Sequence, residues 1–146
     1  MTTECVESGK INNSFKLLFM SNYQVIQGDC INLLKNRQIK EEVDLTFLDP
    51  PFNQNKEYAI WNDNLPDEKY WQFMKNVCEG VYQITSDGGA IYFMQREKNT
   101  EFVLSCLRET GWTLQNLITW KKITSAVPCV NKFSKQYQII AFAIKG

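Results

Sequence analysis

The sequence predicts an α/β domain whose largely parallel sheet ends in an antiparallel strand. Short apolar runs rich in β-branched and aromatic residues alternate with amphipathic segments of helical period. That alternation is typical of strands joined by crossover helices, and hence of parallel pairing. The chain has 146 residues, the length of one domain, and contains no internal repeat or low-complexity tract.

The first predicted elements lie in the N-terminal third of the chain. Residues 1–21 have no regular period and are interpreted as a leader, so the predicted domain covers residues 22–146. A loose alternation over residues 23–27 predicts a strand, and Asp29 is suited to cap the short helix that follows. The apolar run Val43–Leu48 is typical of a short buried strand.

Two amphipathic helices and three further strands are predicted in the rest of the chain. The first helix begins at Pro66, and we expect it to end at a left-handed Gly88. The second begins after Asn99 and is closed by Gly111. Strands are predicted over residues 90–94, 114–120 and 137–144, the last of them antiparallel.

The composition argues against several kinds of chemistry. The chain has no histidine, and its five cysteines include no C-x-x-C pair, so neither a metal site nor histidine-based catalysis is expected. The odd number of dispersed cysteines suits a reduced, cytoplasmic setting. No apolar run near the N-terminus is long enough to span a membrane.

The charge distribution is uneven although the net charge is zero. All 16 acidic residues lie at or before Glu109, whereas residues 110–146 carry five lysines and no acid. A stretch without counter-charges is a candidate for contact with a polyanion, although charge alone leaves a solvated loop as an equal alternative. The candidates for such contacts are Lys121, Lys122, Lys132 and Lys135.

The Val43–Leu48 strand runs into an unusual corner. Two prolines follow Asp49, and because they lack N–H groups and fix their own φ, they make a stiff, extended turn. The corner is predicted at the carboxyl end of a strand, where open α/β sheets bind ligands. A carboxylate, a fixed carbonyl and the flat face of Phe52 would suit a planar ring that bears an amino group. The alternative is that Asp49 only caps local backbone.

A strand ending in Asp-Pro-Pro-aromatic resembles the catalytic motif of DNA methyltransferases that modify the exocyclic amine of adenine or cytosine with S-adenosylmethionine. The order of the neighbouring segments agrees with the class in which the catalytic half precedes the cofactor half. The resemblance covers about residues 22–146, and it rests on Gly28-Asp29-Cys30, the corner, and segments 88–92, 118–121 and 137–146. It implies a Rossmann-like S-adenosylmethionine-dependent methyltransferase fold.

The resemblance also implies roles for particular residues. The Asp49 carboxylate and the Pro50 carbonyl would hold the target amine, and an aromatic ring would stack on the flipped-out base. The implied catalytic residues are Asp49, Pro50, Pro51 and Phe52. The implied cofactor contacts are Asp29, Cys30 and Asp49, with Asp29 also read as a helix cap. The implied DNA contacts are Asn53, Trp120, Lys121, Lys122, Lys132 and Lys135, and burial in the fold is the alternative for Trp120.

Two features of the family are missing from this sequence. Neither a Phe-x-Gly-x-Gly-like cofactor loop nor a target-recognition region is found. The one glycine pair, Gly88-Gly89, does not fit the cofactor loop, because it follows a helix and precedes a strand. We therefore expect one half of a split enzyme, completed by a second polypeptide, or a truncated product. The Asp-Pro-Pro form favours adenine over cytosine in double-stranded DNA. The alternatives are a non-catalytic remnant or DNA-binding module, and a methyltransferase for protein glutamine or RNA.

Overall fold

The computed structural model describes residues 25–36, 39, 42–58, 62–123, 130 and 136–146. Within these residues, three α-helices and four strands are found, and a short 3-10 helix, Glu97–Asn99, precedes the last helix. The helices are α1 Cys30–Lys35, α2 Asp67–Ile84 and α3 Thr100–Glu109. The strands are β1 Val43–Leu48, β2 Thr85–Arg96, β3 Trp112–Lys121 and β4 Tyr137–Lys145.

The four strands form one mixed sheet in the order β1-β2-β4-β3. β1 and β2 pair in parallel, whereas β4 is antiparallel to both of its neighbours, β2 and β3. The first three strands in the chain therefore run in one direction, and the last is inserted against them. This arrangement confirms the predicted Rossmann-like α/β sheet with an antiparallel final strand.

The core lies between one face of the sheet and the helices α2 and α3. Alternate residues of the two central strands point to this face and are fully buried, because the apolar stripes of both helices cover them. The buried cluster on the sheet side comprises Ile91, Phe93, Ile139, Ala141 and Ala143. Its helical side comprises Tyr70, Met74, Val77, Cys78, Val81, Val103, Cys106 and Leu107.

The opposite face of the sheet is covered by no helix of the described part of the chain. A row of aromatic rings crosses it: Phe47 stacks on Tyr92 with centroids 6.4 Å apart, and Tyr92 stacks on Phe142 at 4.7 Å. Phe47 is 59% exposed and Leu45 is 57% exposed. Since β1 pairs only with β2 among the described strands, this corner of the sheet combines an apolar face with an open edge.

The junction between α2 and β2 differs from the prediction. The helix ends at Ile84 instead of Gly88, because Thr85 already pairs with Val43 of β1 and its hydroxyl donates to the Val81 carbonyl at 2.7 Å. The next pair of residues in the ladder is Leu45 and Ala90, so residues 86–89 bulge out of it. Gly88 does adopt a left-handed φ of 79°, but inside this bulge.

The region before β1 confirms one prediction and corrects another. Asp29 caps α1, since its carboxylate accepts a hydrogen bond from the Asn32 N–H at 2.9 Å. The predicted strand over residues 23–27 is wrong for residues 25–27, which form no strand, and the rest of it lies outside the described residues. No helix in the described ranges has both the length and the hydrophobicity needed to cross a membrane.

Candidate active site

The Pro-Pro corner lies at the carboxyl end of β1 and opens onto a cavity of about 290 Å³. Asp49 is exposed there, and Pro50, Pro51 and Phe52 are half-buried. The structure thus brings the four residues predicted to be catalytic onto one cavity. Its lining consists of Asp49, Pro50, Pro51, Phe52, Lys56 and Tyr58.

Two hydrogen-bond acceptors at this corner lack a donor within the described ranges. Among the described residues, none donates a hydrogen bond to the Asp49 carboxylate or to the Pro50 carbonyl. The Pro51 carbonyl, by contrast, accepts a hydrogen bond from the Tyr70 hydroxyl at 2.7 Å. Within the described residues, the corner therefore leaves an ionised carboxylate and a carbonyl as acceptors for a ligand that carries N–H groups.

The contact beneath Pro51 belongs to a buried hydrogen-bond chain. The Gln95 side-chain amide donates to the Tyr70 hydroxyl at 2.8 Å, and both side chains are almost fully buried. Burial raises the pKa of Tyr70 far above its ordinary value, an effect that the hydrogen bond from Gln95 only partly opposes. The phenol therefore keeps its proton and remains a donor to the corner.

The loop after the corner is organised around a second carboxylate. Asp63 is 2% exposed and accepts hydrogen bonds from the backbone N–H groups of Asn53 and Gln54 at 2.9 Å and of Lys56 at 3.0 Å. Desolvation by burial raises its pKa, but the three amide hydrogen bonds outweigh this effect and hold the pKa below its ordinary value. The ionised side chain fixes the loop that carries Lys56 into the cavity.

Asn53 closes the same loop from its other end. Its side-chain oxygen accepts from the Leu65 N–H at 2.8 Å, and its side-chain amide donates to the Leu65 carbonyl at 2.7 Å. The residue has a left-handed φ of 54°, a conformation that asparagine tolerates better than most residues. Asn53 therefore has a structural role in the loop, and its contact with DNA stays a prediction.

The predicted cofactor contacts Asp29 and Cys30 lie at the start of α1 and do not line the cavity beside Asp49. Burial and the nearby Asp29 charge raise the pKa of the Cys30 thiol, which disfavours the reactive thiolate. Their role in cofactor binding stays a prediction. Within the described residues, no three His, Cys, Asp or Glu side chains gather closely enough to hold a metal ion.

The predicted DNA contacts on β3 lie at the same end of the sheet as the cavity, where β1 and β3 both finish, but they lie to one side of the cavity. Trp120 and Lys121 end a strand that runs parallel to β1, and Lys122 follows; all three are exposed, Trp120 by 52%. Since β2 and β4 separate the two strands, Trp120 lies three strand spacings from Asp49, roughly 14 Å. The structure therefore does not bring Trp120 into the cavity. Outside the described residues lie the other two predicted contacts, Lys132 and Lys135.

Five residues of this site were missed by sequence reasoning. Lys56 and Tyr58 line the cavity, whereas Asp63, Tyr70 and Gln95 support it from below. A polar residue directly after an apolar strand was the only signal for Gln95, and Tyr70 was indistinguishable from the other apolar-face residues of its helix. Asp63 gave no signal, because all three of its donors here are backbone groups.

The comparison with protein families agrees with this geometry. A model of the DNA methylase family N6_N4_Mtase matches residues 43–146, which include the corner and the whole sheet. The chain belongs to this family of exocyclic-amine DNA methyltransferases, and the resemblance stated from the sequence is confirmed.

Several curated proteins share part of their length with the chain. The type II methyltransferase M.HpaI of Haemophilus parainfluenzae is 31% identical over 98 residues, which are 66% of this chain and 31% of that protein. The DNA adenine methyltransferase YhdJ of Escherichia coli (strain K12) is 25% identical over 122 residues, 83% of this chain and 40% of that protein. The chain thus spans about a third to two fifths of the length of these relatives.

Solved structures show the same fold. The crystal structure of M1.HpyAVI superposes with a TM-score of 0.60 at 16% identity and covers 84% of this chain and 56% of that chain. The M1.HpyAVI-SAM complex gives a TM-score of 0.61 at 16% identity, with 84% and 52% covered.

Proposed function

We propose that this chain forms the target-amine part of an S-adenosylmethionine-dependent DNA methyltransferase, and that the base it accepts is adenine. One observation carries the proposal: Asp49, Pro50 and Phe52 line one cavity, and no residue in the described part of the chain donates a hydrogen bond to the Asp49 carboxylate or the Pro50 carbonyl. Such a cavity has acceptors for the two N–H groups of an exocyclic amine and an aromatic face for its ring. Because the amine is out of reach inside a duplex, the base must first be flipped out.

The chain's own groups would act on the nucleophile. The lone pair of the amine is delocalised into the base, and gripping both amine hydrogens between Asp49 and the Pro50 carbonyl favours a pyramidal nitrogen whose lone pair is directed outward. S-adenosylmethionine, when bound, supplies a methyl group on a positively charged sulfur. As the carbon–nitrogen bond forms and the carbon–sulfur bond breaks, positive charge develops on the nitrogen, and the Asp49 carboxylate stabilises it. The extra amine proton is acidic after the transfer and passes to water.

The cofactor side of this active site is only partly represented in the described residues. Asp29, Cys30 and Asp49 are proposed to contact the cofactor, yet the first two lie outside the cavity. The Gly88-Gly89 pair lies in the β2 bulge and forms no cofactor loop. We therefore infer that a glycine loop and a target-recognition region come from a further polypeptide segment, in a second chain or a longer one.

The preference for adenine and the location follow from the same reasoning. The Asp-Pro-Pro corner favours adenine over the cytosine amine, and one relative, YhdJ, is named as a DNA adenine methyltransferase. Double-stranded DNA is the proposed macromolecular substrate. A cytoplasmic location is also proposed, which the free cysteines Cys30, Cys78 and Cys106 suit.

The test is Asp49→Ala in the enzyme completed with the segment that carries the glycine loop. Loss of the acceptor is expected to abolish methyl transfer while DNA binding stays nearly intact. Asp87→Ala is the matched control, because that carboxylate is exposed in the β2 bulge at the other end of the sheet. Methyl transfer by Asp49→Ala within tenfold of wild type, about 1.4 kcal/mol in barrier height, would disprove the assignment.

A further inference from the structure

A directional hydrogen-bond chain connects the end of β2 to the Pro-Pro corner. The Gln95 side-chain oxygen accepts from the Arg96 N–H at 2.9 Å and from the Asn99 side-chain amide at 3.3 Å. The Gln95 amide then donates to the Tyr70 hydroxyl at 2.8 Å, and that hydroxyl donates to the Pro51 carbonyl at 2.7 Å. The chain thus joins four elements: the 3-10 helix, β2, α2 and the corner.

The partners determine the direction of each donation. Because two donors face the Gln95 oxygen, its amide group must face Tyr70. The Tyr70 oxygen accepts this amide, which leaves its single proton for Pro51. Tyr70 is 1% exposed and Gln95 is 0% exposed, so water does not compete for these groups. A chain of buried hydrogen bonds that are all satisfied is rigid, since breaking one leaves a polar group unpaired.

The contact falls on the Pro51 carbonyl, which follows the Pro50 carbonyl directly in the chain. Pro51 has its φ locked by the ring, so the peptide plane that carries the Pro50 carbonyl turns with the Pro51 backbone. The ψ rotation of Pro51 is then the one free main-chain torsion between the two carbonyls, so holding the Pro51 carbonyl from Tyr70 restricts the orientation of the Pro50 carbonyl. The supporting hydroxyl faces the buried core, whereas the Pro50 carbonyl has no donor among the described residues.

We propose that Tyr70 and Gln95 are positioning residues that aim the Pro50 carbonyl at the target amine. They act through Pro51 and do not touch the substrate, and the proposal rests on the function proposed above. The rival explanation is that the pair only stabilises the core. The two explanations differ in one respect, because a core pair would not affect how the cavity distinguishes amines from molecules of the same shape that lack N–H groups.

The experiment uses the enzyme completed with the segment that carries the glycine loop, as wild type and as three variants of this chain. Tyr70→Phe removes the hydroxyl alone, and Gln95→Met removes the preceding donor while keeping the volume. Tyr82→Phe is the matched control, because Tyr82 lies on the same helix but twelve residues away, about 18 Å along its axis. The Pro51 carbonyl carbon is observed by triple-resonance NMR through the Phe52 amide. We expect its signal to move upfield in Tyr70→Phe and to stay in place in Tyr82→Phe.

The second readout is amine recognition, measured by titrating adenosine monophosphate and 6-methylpurine riboside monophosphate, in which a methyl group of similar size replaces the amine. Wild type is expected to prefer the unmodified nucleotide by about tenfold or more. Tyr70→Phe and Gln95→Met should each reduce this preference by about threefold or more, and Tyr82→Phe should not change it.

The outcomes separate this inference from the function on which it rests. If wild type and Tyr70→Phe prefer the nucleotide that carries the amine to the same extent, the positioning role is overturned. The proposed function is then left standing. An unmoved Pro51 signal in Tyr70→Phe overturns the positioning role as well. If wild type shows no preference but the signal moves, the hydrogen-bond chain is supported and the proposed amine recognition is refuted.

Discussion

At the scale of single residues, the site uses two carboxylates in opposite environments. Asp49 is exposed on the cavity and has no donor among the described residues, whereas Asp63 is enclosed by three backbone N–H groups. Both follow from the corner, because the prolines keep one carboxylate at the strand end and the returning loop buries the other. The first faces the cavity, and the second holds the loop that lines this cavity.

The Asp63 environment predicts a pH-dependent contribution to stability. Its pKa in the fold lies below the ordinary value of 3.8, so the stabilisation is complete above that value and is lost as the pH falls through the folded pKa. Asp63→Asn should reduce the free energy of unfolding by about 1–3 kcal/mol at neutral pH, because its amide would face backbone donors. Urea unfolding of both proteins near neutral pH and near pH 3 measures the difference. A difference that did not shrink at the lower pH would contradict the prediction.

At the scale of elements, the sheet decides where helices end and which way the corner faces. α2 gives way to β2 without a linker, and the four-residue bulge absorbs the mismatch between the helix end and the strand register. The same helix carries Tyr70 in its first turns, beneath the corner. The α2–β2 junction therefore helps to set both the register of β2 and the support of the site.

Two glycines in this bulge should respond differently to substitution. Gly88 has a left-handed φ of 79° and open space where a Cβ would lie, so Gly88→Ala should cost only the backbone strain, about 1 kcal/mol. A Cβ on Gly89 would lie 2.6 Å from the Thr85 methyl group, 2.9 Å from the Ser86 carbonyl oxygen and 3.1 Å from that of Asp44. Gly89→Ala should therefore cost more, about 2–3 kcal/mol. Urea unfolding measures both losses of stability. A larger loss for Gly88→Ala than for Gly89→Ala would contradict this packing of the bulge.

The lysines at the end of β3 give a second prediction at this scale. Lys121 and Lys122 are exposed at the same end of the sheet as the cavity, where β1 and β3 both finish, and they belong to the part of the chain without acidic residues. If they contact phosphates, replacing both with glutamine should weaken binding to all DNA sequences similarly. The slope of the logarithm of the binding constant against the logarithm of salt concentration should become shallower by up to about two units. Lys35→Gln, an exposed lysine at the end of α1, is the control. An unchanged slope would mean that both lysines are ordinary solvated residues that do not contact phosphates.

At the scale of the whole molecule, the described sheet is covered on one side only. Its helices pack on the face that holds Phe93, and the aromatic row through Phe47 remains exposed beside an open strand edge. Exposed apolar strands with a free edge promote association. The complementary surface is expected on the segment that completes the active site.

The isolated chain is therefore expected to self-associate, to bind the cofactor weakly and not to methylate DNA unaided. Light scattering, a cofactor titration and a methyl-transfer assay on mixed DNA measure the three properties. Phe47→Lys should reduce the self-association, because it charges the open face. Phe102→Lys is the control, since that phenylalanine is 47% exposed but lies on α3 and stacks on Trp71. A soluble monomer that transfers methyl groups by itself would refute the expectation.

The sequence by itself determined the elements whose signals are local. β1 has the predicted bounds, because an apolar run stopped by two prolines leaves one extended solution. Asp29 caps α1 as expected, since its carboxylate needs only the N–H groups of the next turn. The Asp-Pro-Pro-Phe corner was recognised for the same reason, because the chemistry that it offers is held within four consecutive residues.

Tertiary structure alone decided how that corner is held and where the helix before β2 ends. Tyr70 reaches Pro51 across 19 residues, and Gln95 reaches Tyr70 across 25, so these contacts exist only after α2 packs on the sheet. The helix α2 does not extend to Gly88, because Thr85, three residues earlier in the chain, already pairs with β1. Local patterns describe the backbone of one segment, whereas buried polar partners and strand register depend on which distant segments the fold brings together.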